Sequence, residues 1–157
     1  MSSEFRFVVP GPPQSKGRPR VYRNPGGRGV HGVTPEKTKT AENRVYSTFI
    51  TKYPDARPLT GDIQVALDFW MPDRSGKDWD NIAKLATDAL NGVAYVDDKQ
   101  IMQATVRKIL PDKRVQGKRG MRNRKAGDPL THNGVPYQAH THIYIAEISQ
   151  IGKEQWQ

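Results

Sequence analysis

The residues best suited to chemistry lie close together in one acidic segment of the chain. Asp78 and Asp80 stand at the start of a predicted helix, and Asp97 and Asp98 follow that helix after a short connection. The two pairs can converge on one hard cation, because Mg²⁺ prefers oxygen ligands and needs only one or two protein carboxylates. Lys84 lies one helical turn beyond Asp80 on the same face, where it can meet a phosphate oxygen or the attacking water.

Each of these features also has an ordinary structural interpretation. Asp78 alone is typical of a helix N-cap. Asp80, Lys84 and Asp88 are spaced by four and share a helix face, so a surface ion pair worth about 0.3 kcal/mol explains them equally well. The Asp-x-Asp motif is common, and two adjacent aspartates are typical of a turn. The catalytic interpretation therefore depends on what surrounds the segment.

The charge of the chain is unevenly distributed. The 157 residues contain 25 Lys and Arg against 16 Asp and Glu, a net charge of +9, which favours a polyanionic partner and nucleic acid first. Eight aspartates fall between residues 62 and 98, whereas residues 11–35 and 111–127 are strongly basic. A protein that only gripped phosphates would gain nothing from these aspartates. An acidic centre in a basic frame is what a metal-dependent nuclease requires.

Hydrophobic periodicity predicts an α+β fold, a small mixed β-sheet with two packed helices in the order β-α-β-α-β-β. The first helix is expected to begin with Thr34 as its N-cap. Trp70 and Trp79 are expected in the core or at its edge. The predicted strands cover residues 5–9, 63–69, 101–110 and 138–148, and the predicted helices cover residues 35–52 and 79–91.

The remaining chain features indicate a single domain over residues 1–157. Residues 10–34 and 111–136 are predicted to be basic loops, the second an excursion between two antiparallel strands, and residues 150–157 a frayed tail. The chain has no cysteine, which excludes a disulfide scaffold and suits a reducing compartment. No apolar run approaches the roughly 18 residues of a membrane-spanning helix, and the first residues do not resemble a signal peptide.

Taken together, the motifs resemble the RusA family of Holliday-junction resolvases, small endonucleases often found in phages and prophages. The resemblance covers about residues 5–110 and the final strand, whereas residues 111–136 are longer and more basic than in compact members. The matching pattern is Pro12-Pro13-Gln14-Ser15-Lys16-Gly17-Arg18-Pro19-Arg20, Asp78-x-Asp80-Asn81, Lys84, Asp88-Ala89-Leu90-Asn91-Gly92 and Tyr95-x-Asp97-Asp98-x-Gln100-Ile101.

The resemblance implies a homodimer that uses Mg²⁺, with Mn²⁺ as a substitute, to resolve four-way DNA junctions by paired symmetric nicks in recombination and repair. Asp78, Asp80 and Asp98 match the essential carboxylates and hold the metal, and Lys84 matches the essential lysine. Asp97 is either a further ligand or a partner behind the ligands. The expected location is the cytoplasm of a bacterial host or a phage-infected cell, with no membrane association.

The two basic segments are expected to supply DNA binding, near the site and on a flanking arm of the junction. The candidate phosphate contacts are Lys16, Arg18, Arg20, Lys118, Arg119, Arg122 and Arg124.

Two other functions remain open at this point. A nuclease for other branched DNA would show the same residues, because the dimer and its loops determine which substrate shape is bound. A non-catalytic basic nucleic-acid-binding protein accounts for the charge but leaves the placed aspartates unexplained. A glycosyltransferase with an Asp-x-Asp motif is disfavoured, because the chain is short for a nucleotide-sugar domain. Metal-dependent cleavage separates the nuclease from the binding protein.

Overall fold

The computed structural model describes residues 3–18 and 20–148, without the side chain of Arg20. The expected tail, 150–157, lies outside the described residues. Two α-helices are formed, Glu36–Lys52 (α1) and Trp79–Leu90 (α2), together with a 3₁₀ turn, Asp98–Gln100. The strands are, in chain order, Glu4–Pro10 (β1), Arg20–Arg23 (β2), Val30–Val33 (β3), Ile63–Trp70 (β4), Ile101–Ile109 (β5), Arg114–Gly117 (β6), Gly120–Asn123 (β7), Thr131–His132 (β8), Val135–Pro136 (β9) and His140–Glu147 (β10).

Four strands form the main sheet in the order β1-β10-β4-β5. Strand β10 is antiparallel to both β1 and β4, whereas β4 and β5 are parallel and are connected through α2. This arrangement confirms the predicted α+β class and the order of the main elements. The acidic segment therefore forms the crossover between two parallel strands, a long connection that usually contains a helix.

One face of the sheet carries the core. Alternation along β4 buries Ile63, Val65 and Leu67 towards the helices and leaves the intervening side chains half-buried on the other face. On α1, Phe49 is 1% exposed and meets Phe5 edge-on, with ring centroids 5.0 Å apart. These contacts attach α1 to β1, just as the buried side chains of α2 attach that helix to the sheet.

Two local predictions are wrong. The first helix is not capped by Thr34, because Pro35 occupies the N-cap position and makes no side-chain capping bond. Trp79 is not a core residue: its side chain is 59% exposed, because it precedes the buried stripe that starts at Ile82. Trp70 does lie at the core edge, stacked on His140 with centroids 5.3 Å apart.

The two basic segments are not structureless loops. The first contains the β2–β3 hairpin, and the second contains the β6–β7 and β8–β9 hairpins. Residues 111–136, called the excursion below, also do not join neighbouring antiparallel strands, because β4 lies between β5 and β10. No helix within the described residues is long and apolar enough to cross a membrane.

Candidate active site

A cleft of about 280 Å³ lies between α2 and the parallel strands β4 and β5. Its floor is apolar, with Val65 and Leu67 from β4 and Val106 from β5. Its polar groups come from the crossover that joins those strands. The polar or charged side chains that line it are Asp80, Lys84, Thr87, Asp88 and Asp98.

Helix α2 presents three charged side chains to this cleft. Asp80, Lys84 and Asp88 are four residues apart, so they form one stripe along the helix. The stripe faces outward because Ile82 and Leu85 are buried on the other side of the helix. The amphipathic pattern that attaches α2 to the sheet therefore also orients the candidate catalytic groups.

Asp98 reaches the cleft from the 3₁₀ turn that follows α2. Asp97 fixes this turn with a capping box: its carboxylate accepts the Lys99 N–H at 2.9 Å, and its own N–H donates to Gln100 Oε1 at 2.8 Å. The Gln100 side chain then donates to the carbonyls of Leu59 and Gly61, both at 2.8 Å. Asp97 is thus the residue that positions Asp98.

The adjacent carboxyls of Asp97 and Asp98 hydrogen-bond to each other, and their pKa values are shifted in opposite directions. The pKa of Asp98 is raised, first because its side chain hydrogen-bonds to Asp97 and then by desolvation and by the charges of Asp97 and Asp88. The charge of Lys84 acts in the opposite direction. The pKa of Asp97 is lowered, chiefly by the Lys99 backbone N–H. Negative charge is thus concentrated where a cation would relieve it.

The structure brings together some of the predicted site residues and not others. Asp80, Lys84 and Asp98 line the same cleft, but Asp78 and Asp97 do not line it. Asp78 occupies the N-cap position of α2, is exposed, and makes no side-chain capping bond. Within the described ranges, no group of three or more acidic or histidine side chains is arranged to hold a metal ion.

The N-terminal segment 11–18, called the strap below, crosses both helices beside the cleft. The Lys16 N–H donates to the Asn81 carbonyl at 3.3 Å, and the Gly17 N–H donates to Thr38 Oγ1 at 2.9 Å. A Cβ at Gly17 would lie 2.9 Å from both Pro35 Cγ and Thr38 Oγ1, so only glycine fits without displacement. The strap is therefore closely docked on the α1–α2 layer.

Lys16 was expected to contact phosphate, but the structure shows it in an ion pair. Its ammonium donates to Asp88 Oδ2 on α2 and lies 3.9 Å from Glu42 Oε1 on α1. Arg18, two residues further, is exposed. Sequence reasoning placed Asp88 on the right helix face but missed this contact, which spans 72 positions of the chain.

The candidate DNA-binding residues of the excursion fall into two groups. Lys118 and Arg119 form the exposed two-residue turn between β6 and β7. Arg122 instead donates to both oxygens of Asp128, at 2.8 and 2.9 Å, and Arg124 donates to the Asp128 carbonyl at 2.8 Å. The second pair thus holds the excursion together, whereas Lys118 and Arg119 make no ion pair with any residue that the structure describes.

Comparison with known families matches residues 10–118 to the model described as endodeoxyribonuclease RusA. The chain belongs to the RusA family. The match begins at the strap and ends within the β6–β7 hairpin, so it includes every side chain that lines the cleft. A search of curated proteins finds no match.

Membership makes the chain part of an enzyme family of DNA-cutting nucleases that are generally metal-dependent. The cleft fits such a metal by its donor chemistry, because Asp80 and Asp98 present carboxylate oxygens to one space and Mg²⁺ needs only one or two protein ligands. In this RusA protein the residues present are therefore compatible with one hard cation.

Proposed function

We propose that this RusA-family protein resolves four-way DNA junctions by metal-dependent, paired symmetric nicks. One observation carries the proposal: three carboxylates, one of them paired with Lys16, and the Lys84 side chain line one open cleft in the crossover that the family match covers. Nucleic acid is the partner that the net charge of +9 favours.

Each residue of the cleft has a proposed role. Asp80 and Asp98 would hold Mg²⁺, for which Mn²⁺ can substitute, and Asp78, two residues before Asp80 at the N-cap of α2 but outside the lining of the cleft, is the proposed third carboxylate. When bound, the metal supplies Lewis acidity to the scissile phosphate and to the attacking water. Asp97 contributes indirectly, by fixing the turn that presents Asp98.

The proposed reaction is hydrolysis of one phosphodiester bond in each nicked strand. The water oxygen forms the new bond to phosphorus, the bond from phosphorus to the 3′ oxygen breaks, and the products are a 5′ phosphate and a 3′ hydroxyl. Lys84 stabilises the negative charge that develops on the phosphoryl oxygens. A ligatable nick is the result.

Binding is proposed to come from the basic segments. Arg18 and Arg20, on the strap side, lie close in sequence to Lys16 at the cleft, and Lys118 and Arg119 project from the β6–β7 turn. A four-way junction has two-fold symmetry, so a two-fold homodimer would place one cleft at each of two strands.

The first test of the proposal is a cleavage assay on a labelled four-way junction and its matching linear duplex, with Mg²⁺ or with EDTA. We expect symmetric nicks near the crossover of the junction, only with metal. Asp80→Asn should abolish cutting and leave junction binding intact or tighter, because a charge that repels phosphate is removed. Asp55→Asn, at an exposed turn position after α1, is the matched control and should cut normally.

Two outcomes would contradict the proposal. Cutting by Asp80→Asn at the wild-type rate would exclude the proposed metal ligand. Tight junction binding without cutting in any divalent metal would identify a binding protein instead. Flap and fork substrates in the same assay distinguish a nuclease for other branched DNA, which would cut them faster than the junction.

A further inference from the structure

Lys84 lies between two aspartates of its own helix and could be neutralised by either. Asp80 is four residues before it and Asp88 four residues after it, the spacings at which helical ion pairs ordinarily form. Among the ion pairs between described residues, none includes Lys84. Its side chain instead lines the cleft that Asp98 also lines.

Asp88 has a different partner because the strap supplies one. The Lys16 ammonium is hydrogen-bonded to Asp88 Oδ2, and both side chains are largely covered, 28% and 22% exposed. Three backbone N–H groups of the strap hold it in place: Gly11 donates to the Ala139 carbonyl just before β10, Lys16 to the Asn81 carbonyl on α2 and Gly17 to Thr38 Oγ1 on α1. The position of Lys16 is therefore fixed by the fold rather than by its own flexible side chain.

We infer that Lys16 is a positioning residue that occupies Asp88 and so keeps the Lys84 ammonium available to the scissile phosphate. The inference rests on the proposed function, since it gives Lys84 a phosphate to meet. Without Lys16, an unpaired Asp88 lies one helical turn from Lys84 and takes it as a partner. A lysine in an ion pair stabilises a developing phosphoryl charge less well.

The competing explanation is that the pair only fastens the strap to α2, and double-variant kinetics separate the two. We expect Lys16→Met to lower the single-turnover rate on the junction by about fivefold, the upper range for a surface ion pair. Asp88→Asn should lower that rate much less, and the double variant should recover to the level of Asp88→Asn. Lys16→Arg, which keeps a cation for Asp88, should rescue the rate.

Two controls keep this comparison interpretable. Lys39→Met removes one exposed positive charge from α1 and should leave the rate unchanged, so general charge loss is accounted for. Thermal unfolding of each variant shows whether the strap is needed for folding. Equal losses in both single variants, with no recovery in the double variant, would overturn the inference and leave the pair as a fastening.

A crystal structure of Lys16→Met tests the inference without any cutting. Lys84 Nζ should lie within ion-pair distance of the Asp88 carboxylate. If the wild-type protein cuts no junction but this contact forms, the proposed function fails while the capture of Lys84 stands. If Lys84 still faces the cleft alone, the inference fails whatever the activity.

Discussion

At the residue scale, the acidic groups of the crossover have different tasks. Asp97 is committed to the 3₁₀ turn and Asp88 to Lys16, and Asp98 hydrogen-bonds to Asp97, whereas Asp80 has no hydrogen bond or ion pair among the contacts of the described residues. The sequence alone does not distinguish these aspartates from one another. Their hydrogen-bond partners show which ones stabilise the local structure and which ones can bind a ligand.

Lys84→Met should separate catalysis from binding. We expect the nicking rate to fall by about 100-fold or more, the scale for removing a preorganised charge-stabilising donor. Junction affinity should change little, because the exposed cations of the basic segments are proposed to supply most of the phosphate contacts. Single-turnover nicking measures the rate and gel-shift titration measures the affinity. Lys37→Met, at an exposed position of α1, is the charge-matched control. An equal loss of affinity and rate would make Lys84 a binding residue instead.

Much of the site was predictable because it is local in sequence. Asp80, Lys84 and Asp98 belong to one crossover, and helical spacing alone puts the first two on one face. The Lys16–Asp88 pair was not predictable in this way, because it depends on how the strap docks across α1 and α2. Spacing also could not tell that Asp78 stands outside the lining of the cleft.

At the element scale, the sequence predicted the elements with strong periodicity and missed those defined by turns. The bounds of α2 and β4 follow from buried stripes, so they match the prediction closely. The β8–β9 hairpin turns at Asn133-Gly134, with both residues at positive φ, and Asn-Gly is a strong signal for a two-residue hairpin. The hairpins of the basic segments were missed because charge and glycine content suggested loops.

The excursion should lose order in acid before the core does. Asp112 accepts the Gly134 and Asn133 N–H groups and the Thr131 hydroxyl, which lower its pKa, and Arg122 above all lowers the pKa of Asp128. Both carboxyls thus stabilise the fold above their ordinary pKa of 3.8, and the stabilisation is lost as the pH falls through the lowered values.

Hydrogen exchange of backbone amides across this pH range checks the prediction. Amides of the excursion should lose protection at a higher pH than amides of β10, which pairs on both sides in the main sheet. Asp112→Asn should weaken the β8–β9 hairpin already at neutral pH. Simultaneous loss of protection in the excursion and β10 would show that the excursion has no separate acid-sensitive stability.

At the scale of the whole molecule, charge and chemistry occupy different parts of the chain. The cleft is acidic, whereas the strap side and the excursion are basic. Phosphates would therefore be attracted to the periphery and meet carboxylates only at the cleft, where a cation can lie between them. This division favours a substrate that extends well beyond the scissile bond.

Junction affinity should fall steeply with salt, because each phosphate contact releases counterions. Removing two exposed contacts with Lys118→Gln and Arg119→Gln should reduce the slope of log K against log salt by about 1.8. Arg6→Gln is the control, because Arg6 lies over Tyr144 on the sheet face away from the helices. Gel-shift titrations at several salt concentrations give the slopes, and an unchanged slope in the double variant would exclude the β6–β7 turn from the DNA interface.

The position of β10 has a consequence for when the cleft can form during synthesis. The strand lies in the middle of the sheet, yet the ribosome makes it after every other described element. Until residues 140–147 emerge, β1 and β4 have no strand between them and the core lacks Ile143 and Ile145. Pairings so distant in sequence form late. The nascent chain therefore carries all the residues of the cleft before it has the central strand of the sheet that supports them.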